Sequence, residues 1–396
     1  MTILNIAIAK GDLQTVRTLI ELKGYSPNYI GLTGLNDTPL TVAAQFGQRK
    51  VMDYLIQKGA DINAKGYYFN YGLTPMEAAL QFGHTQVVAN LLANNAELPY
   101  GLHKTDVANQ YLLKAASTND TWSIEKILGN TEANINTHDN FMKLTPLHNA
   151  VMNDCFDATH KLILHGAKVN AIDIHGWTPL HYAASNSDTQ FAKFLIEKGA
   201  KINAEDNSHR TPLFSAVLSN EEDLIYLLVK HGAKVNHTDM DGRSALDLAI
   251  INDAPEMIKC LVLNGAKISA NINQSTPLEQ AAESGKLQAV EMLIELGSSL
   301  SHKNAQGKTA LELAFKAGEI AAVNLLKLHG AEVPLYIQEK LNALEPINID
   351  QVLVETTDNL ASVSGSISGS NAYHAQPIGP ILGTDVVALQ EHAFGA

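Results

Sequence analysis

The chain is 396 residues long, 45% of them apolar, and carries a formal net charge of −13 from 41 acidic and 28 basic side chains. Only four of those bases are arginines (Arg17, Arg49, Arg210 and Arg243), so the composition offers no arginine-rich basic face for gripping nucleic acid. No run of 18 or more apolar residues occurs, which leaves no candidate for a membrane-spanning helix.

The chain opens on Thr2–Ala9, an apolar stretch of about the length of a signal-peptide core. It has no basic flank and is interrupted by Asn5, so it is read as a first helix, with no N-terminal signal peptide and a cytoplasmic location expected. The pattern that begins there then recurs. Its starts fall at Thr2, Thr38, Thr74, Gln110, Thr145, Thr178, Thr211, Ser244, Thr276 and Thr309, with steps of 36, 36, 36 and 35 and then 33, 33, 33, 32 and 33. A fixed period of this size marks a stack of repeated supersecondary units.

Within a unit, a threonine such as Thr178 suits a helix N-cap, and Pro179 sits at the first helical position, where no N–H is needed. Glu77, Asp247, Glu279 and Glu312 fall three residues after their caps, where an acidic side chain makes the cap reciprocal. A short apolar helix such as Leu180–Ala184 follows, ending near Ser187. The matching residues elsewhere are Gly11, Gly47, Gly83, Asn119, Asp154, Asn220, Asp253, Gly285 and Gly318, nearly all types that tolerate a left-handed backbone. A second helix then runs to a glycine at 59, 166, 199, 232, 265, 297 or 330, preceded in three units by His165, His231 or His329. An extended turn leads to the next start.

Helix, tight turn, helix and extended turn resemble the ankyrin repeat. The resemblance is carried by the T-P-L-H runs at Thr145–His148 and Thr178–His181 and by the alanine pairs Ala43-Ala44, Ala78-Ala79, Ala115-Ala116, Ala183-Ala184 and Ala281-Ala282. It is carried too by G-A-x-[VI]-N at Gly59–Asn63, Gly166–Asn170, Gly199–Asn203 and Gly232–Asn236. It covers about ten repeats over residues 2–334 and implies an all-α solenoid of stacked helix-turn-helix pairs with β-turn or hairpin-like inter-repeat loops. The expected organisation is an array over 1–334, a capping helix over 335–345 and a flexible acidic tail with Ser and Gly over 346–396. Segment 99–109, before the degenerate start Gln110-Tyr111-Leu112-Leu113, reads as an irregular joint in the array.

The resemblance also implies that partners dock on a concave face lined by the turn tips and first helices. Mapped onto this chain, those positions include Phe46, Phe82, Phe141, Met142, Met152 and Trp177, with Met240 and Ile251 further on; these are apolar where a solvated face would be polar. The turn Gly66–Gly72 adds Tyr67, Tyr68, Phe69 and Tyr71, four rings in five residues where turns favour Gly, Asn, Asp and Ser. The function expected is a non-catalytic scaffold that binds another protein, with no cofactor and no metal; oligomeric state is not legible. An alternative is a bacterial effector delivered into a host cell, its tail serving as a C-terminal secretion signal. A further alternative is an enzyme with a cysteine–histidine site, Cys155 with His148 or His160, in the groove. Cys155 and Cys260 lie three repeats apart, about 30 Å at a helix spacing of ~8–10 Å, beyond disulfide reach.

Overall fold

Each repeat begins where a hydroxyl side chain satisfies the free N–H groups of a new helix. The computed structural model describes residues 2–29, 37–66, 72–269 and 275–343. In it the Thr74 hydroxyl accepts the Glu77 N–H at 3.2 Å while the Glu77 carboxylate accepts the Thr74 N–H at 2.7 Å. The same reciprocal cap closes Ser244 with Asp247, Thr276 with Glu279 and Thr309 with Glu312. His148 and His181 fill the acidic role in their own repeats. Their Nδ1 atoms accept the Thr145 and Thr178 N–H groups at 3.2 and 3.1 Å.

The helices come in pairs. They are α1 (Ile3–Ala9) and α2 (Leu13–Glu21), α3 (Pro39–Gln45) and α4 (Arg49–Gln57), α5 (Pro75–Phe82) and α6 (Thr85–Ala93), and α7 (Lys104–Ser117) and α8 (Thr121–Asn130). Next come α9 (Pro146–Met152) and α10 (Phe156–Leu164), α11 (Pro179–Ser185) and α12 (Thr189–Glu197), and α13 (Pro212–Leu218) and α14 (Glu222–Lys230). The series closes with α15 (Ala245–Ile251) and α16 (Pro255–Leu263), α17 (Pro277–Glu283) and α18 (Leu287–Glu295), α19 (Ala310–Ala317) and α20 (Ile320–Leu328), and then α21 (Leu335–Ala343). No strand occurs among the described residues, whose one β-bridge joins Thr238 and Ser244. The fold class is the all-α one expected.

Between the two helices of every pair sits one residue with left-handed backbone. Gly11, Gly47, Gly83, Asn119, Asp154, Ser187, Asn220, Asp253, Gly285 and Gly318 all have φ between 52° and 84°. At Gly47 the glycine is required twice over, because a Cβ there would lie 2.8 Å from the His84 ring, which itself is held 2.9 Å from the Gln45 carbonyl. Gly47→Ala is therefore expected to cost more stability than Gly59→Ala, whose φ is also positive but whose Cβ would meet nothing within 4 Å. The difference, about 1 kcal/mol by the cost of overpacking, is measurable by urea denaturation of the two variants.

Gln110 is not a helix start. It lies inside α7, which begins six residues earlier at Lys104 and has His103 as an N-cap without a side-chain bond. The reason is local: no hydroxyl cap or proline stands at the repeat position, so nothing interrupts the run Lys104–Asn109.

The chain divides into two compact units, Met1–Ser215 with Lys230–Ala233, and Ala216–Val229 with Lys234–Ala396, the division falling inside α13. In the first unit the first helices lie side by side as α1–α3–α5 and again as α7–α9–α11, whereas α7 reaches back to α6 rather than packing closely on α5. Ala43, Ala44, Ala78, Ala79, Ala115, Ala116, Ala183 and Ala184 are fully buried in these contacts, where only small side chains let helix axes come close. Asparagines stitch the opposite edge. The Asn170 amide donates to the Gly199 carbonyl at 3.0 Å and its Oδ1 accepts the Lys201 N–H at 2.7 Å; Asn28 makes the same pair of bonds to Gly59 and Asp61.

In the second unit α15, α17 and α19 form one layer and α16, α18 and α20 the other. Asn236 continues the asparagine stitch to Gly265 and Lys267. Helix α21 is tied on by Tyr336, whose hydroxyl donates to Glu312 at 2.8 Å beside the Lys308 ammonium at 2.9 Å, with Ile337 buried beneath. Burial alone would raise the Glu312 pKa, but the bonds from Lys308, the Thr309 N–H and Tyr336 outweigh it and hold the carboxyl at about 2. A depressed folded-state pKa gives stability that is complete above the unfolded value and is lost as pH falls toward about 2. Protection of the α21 amides, taken relative to the intrinsic exchange rate at each pH, is thus expected to fall between about pH 4.5 and 2 in the native chain, and Glu312→Gln to weaken that dependence.

Candidate functional site

The residues that line several of the turns are placed by an aspartate whose carboxylate takes the turn's own N–H groups. In the first unit Asp173 Oδ1 accepts the N–H groups of His175 and Trp177, both at 2.8 Å, and Asp206 Oδ1 accepts those of Ser208 and Arg210, also at 2.8 Å. Asp139 holds Phe141 and Met142 in the same way at 2.9 and 2.6 Å. Successive turns are then joined, Ile174 N–H to the Met142 carbonyl and Asn207 N–H to the His175 carbonyl, each at 2.9 Å. Side chains that point away from these aspartates are left on the surface.

Those side chains include Phe141, 73% exposed, and Ile172 and Ile174, 61% and 46% exposed. Phe141 was expected there. The two isoleucines were not, although they flank Asp173 directly, and alternation about a buried turn residue is the signal that would have found them. Met142 is half-buried. Trp177 is half-buried too, its ring 5.8 Å from His181 and 5.2 Å from Tyr182, and its indole N–H donates to Asp206 Oδ2 at 3.1 Å. Trp177 therefore has a structural bond as well as an open edge.

Phe46 and Phe82 are 46% and 49% exposed. They sit at the far end of their helices, Phe46 capping α3 and Phe82 closing α5, and Phe82 stacks on His84 with centroids 6.3 Å apart. Met152 closes α9 in the same fashion and is exposed. These residues form two groups at opposite ends of the first helices: Phe46, Phe82 and Met152 beside the tight turns, and Phe141, Met142 and Trp177 at the extended ones. A seven-residue helix separates the ends by about 10 Å. Met240 and Ile251 are exposed in the second unit. Tyr67, Tyr68, Phe69 and Tyr71 lie outside the described residues.

The histidines are committed to structure. His148 Nε2 lies 3.1 Å from the Trp177 carbonyl and His181 Nε2 3.2 Å from the Arg210 carbonyl, while each Nδ1 accepts its own threonine cap. Burial pushes both imidazoles below the usual histidine range, so each is neutral with the proton on Nε2. Burial also pushes the Cys155 thiol up, and its Sγ is bonded to the Asn153 carbonyl at 3.3 Å. A thiol raised in pKa makes a poor nucleophile, and neither nitrogen of His148 is open to serve it. His160 lies against the Phe194 ring, centroids 5.6 Å apart. Among the described residues no three His, Cys, Asp or Glu side chains converge as metal ligands, and no helix is long and apolar enough to cross a membrane.

A family model described as ankyrin repeats, three copies, matches residues 4–100, 112–206, 205–272 and 254–336. Similar curated proteins include the probable E3 ubiquitin-protein ligase XBOS32 of Oryza sativa subsp. japonica, 35% identical over 103 residues, which are 26% of this chain and 19% of that protein. Another is the E3 ubiquitin-protein ligase XBAT33 of Arabidopsis thaliana, 27% identical over 192 residues, 43% of this chain and 37% of the other. The chain thus matches well under half the length of these relatives. Among solved structures, the human ASB11 ankyrin repeat domain aligns over 56% of this chain and 98% of its own, at 26% identity and a TM-score of 0.48.

Proposed function

This chain belongs to the ankyrin repeat family, whose repeats are in general protein–protein interaction modules, and from that premise we propose that it is a non-catalytic scaffold docking a partner protein on its first-helix and turn-tip face. The observation that carries the reading is the exposure of the rings Phe46, Phe82 and Phe141 on a framework where Phe214, on the first helix α13, is buried. Exposed rings on rigid elements lose little entropy on binding and exclude water well, which is why aromatics dominate the energetics of interfaces. The ring-rich loop Tyr67, Tyr68, Phe69 and Tyr71 belongs to the same proposed surface.

Phe46→Ser, Phe82→Ser and Phe141→Ser combined are expected to abolish retention of the partner in affinity capture. The unfolding free energy from urea denaturation should stay within the roughly ±0.5 kcal/mol per site usual for surface changes. Unchanged retention, or a collapse in stability, would remove these rings from the binding face. Tyr67, Tyr68, Phe69 and Tyr71 replaced together by serine should behave in the same way.

A further inference from the structure

One second helix of the first unit is apolar along a stripe where its counterparts are polar. In α4 the first, fifth and ninth residues are Arg49, Asp53 and Gln57, and in α12 they are Thr189, Lys193 and Glu197, as a solvated helix face requires. In α10 the same places hold Phe156, His160 and Leu164. Phe156 is 39% exposed and Leu164 64%, with His160 exposed between them. Rings carry the stripe across to α12. Phe156 lies 5.3 Å from both Phe191 and Phe194, and His160 lies 5.6 Å from Phe194, centroid to centroid. The two helices meet through these side chains, their backbones packing less closely than those of α8 and α10. At the C-terminal end the surface turns basic. Lys198 Nζ lies 5.4 Å from the centre of the Phe194 ring. Just beyond Leu164, the turn that carries Lys168 is stitched by Asn170 to the turn that carries Lys201, and all three lysines are exposed. Of the neighbouring acids, Asp157 accepts the Asn119 amide at 3.2 Å, Glu125 pairs with Lys161, and Glu197 adjoins Lys198. Even with Glu197 counted against the three ammonium groups, this end is positive.

An apolar strip closed by positive charge selects what can cover it. We propose that the face of α10 and α12 is a second docking surface, distinct from the first-helix and turn-tip face, and that it takes a short acidic segment of a partner protein. Apolar side chains of that segment cover Phe156, Phe194 and Leu164, and its carboxylates pair with Lys198, Lys201 and Lys168. Phe156 and Leu164 are about 12 Å apart along the helix, the length of about four residues of extended chain. That is the scale of a peptide. An anionic bilayer offers the same two chemistries, but its charged plane repels a chain of net charge −13, whereas a short peptide brings only a few charges into that field.

The test pans the immobilised full chain with a phage-displayed library of random dodecapeptides and discards phage that also bind a chain carrying Leu164→Gln and Lys198→Gln. Both side chains are exposed, so these changes leave the fold in place. The surviving sequences are expected to combine two or more Asp or Glu with two or more large apolar residues. A synthetic peptide of the most enriched sequence, followed by fluorescence anisotropy, should bind about tenfold more weakly once its Asp and Glu are replaced by Asn and Gln. Leu164→Gln alone should weaken it about fivefold. Leu263→Gln, at the same place in α16 and 72% exposed in the native chain, should change nothing, and neither should the combined Phe46, Phe82 and Phe141 serine variant. No surviving phage, survivors without acidic residues, equal affinity for the Asn and Gln form, or an equal loss in Leu263→Gln would each overturn the assignment. So would loss of the peptide in the phenylalanine variant, which would move it to the first-helix face. Phosphatidylserine vesicles that bind the native chain but not Leu164→Gln, with no peptide surviving, would overturn it in favour of a membrane.

Discussion

Replacing His181 by leucine is expected to destabilise the first unit by about 2–4 kcal/mol. The side chain is 1% exposed, so nothing is available to substitute for its two bonds. Leucine fills much of the same space, and the loss is therefore polar rather than steric. One part is the helix cap: the Thr178 N–H loses Nδ1, worth about 1 kcal/mol. The other is the Arg210 carbonyl, left without the Nε2 donor at a cost of about 1–3 kcal/mol for an unsatisfied buried group. Because repeat arrays unfold by neighbouring units, the measurement is amide exchange resolved along residues 145–215 rather than one melting temperature. Protection should fall in α11 and its neighbours first.

The same residue sets a pH dependence whose sign can be stated. Burial holds the His181 imidazole below the range it has in the unfolded chain. Below about 6.5 the unfolded state takes up a proton that the folded state resists, so stability is present above that pH and declines as pH falls. His181→Leu removes this term. The gap in stability between the native chain and the variant is therefore expected to be widest near pH 8 and to narrow toward pH 5. A gap that stays constant would mean that the histidine is not held neutral.

Much of this architecture can be read in the residues themselves because each repeat makes its statement locally. A threonine cap, a proline at the first helical position and a glycine or asparagine at the left-handed turn depend only on backbone chemistry within a few residues, and all ten left-handed positions carry positive φ. Where the local signal is missing, as at Gln110, the reading placed a helix start inside a longer helix. The site was less legible. Exposure of Phe46 or Phe141 follows from register, but the division of those rings between two ends of the first helices depends on which turn each one adjoins. The reach of the Trp177 indole to Asp206 in the next repeat accompanies the bond that Tyr182 makes to Asp173 in its own. An arrangement of that kind spans two repeats and leaves no mark in either one alone.

Ala281→Leu is expected to cost about 1–3 kcal/mol or more, by overpacking rather than by any lost contact. Ala281 and Ala282 are fully buried on α17, which is packed against α15 on one side, α19 on the other and α18 behind. A helix at the edge of a bundle can shift to admit a larger side chain, but one enclosed on three sides can move away from one neighbour only by pressing into another. The measurement is the urea midpoint of the full chain, with loss of protection expected across α15–α19 together rather than in α17 alone. A neutral result would carry a wider consequence. It would show slack between neighbouring repeats, and side chains presented on a framework with slack would have to be ordered when a partner docks, removing the advantage that makes exposed phenylalanines effective anchors.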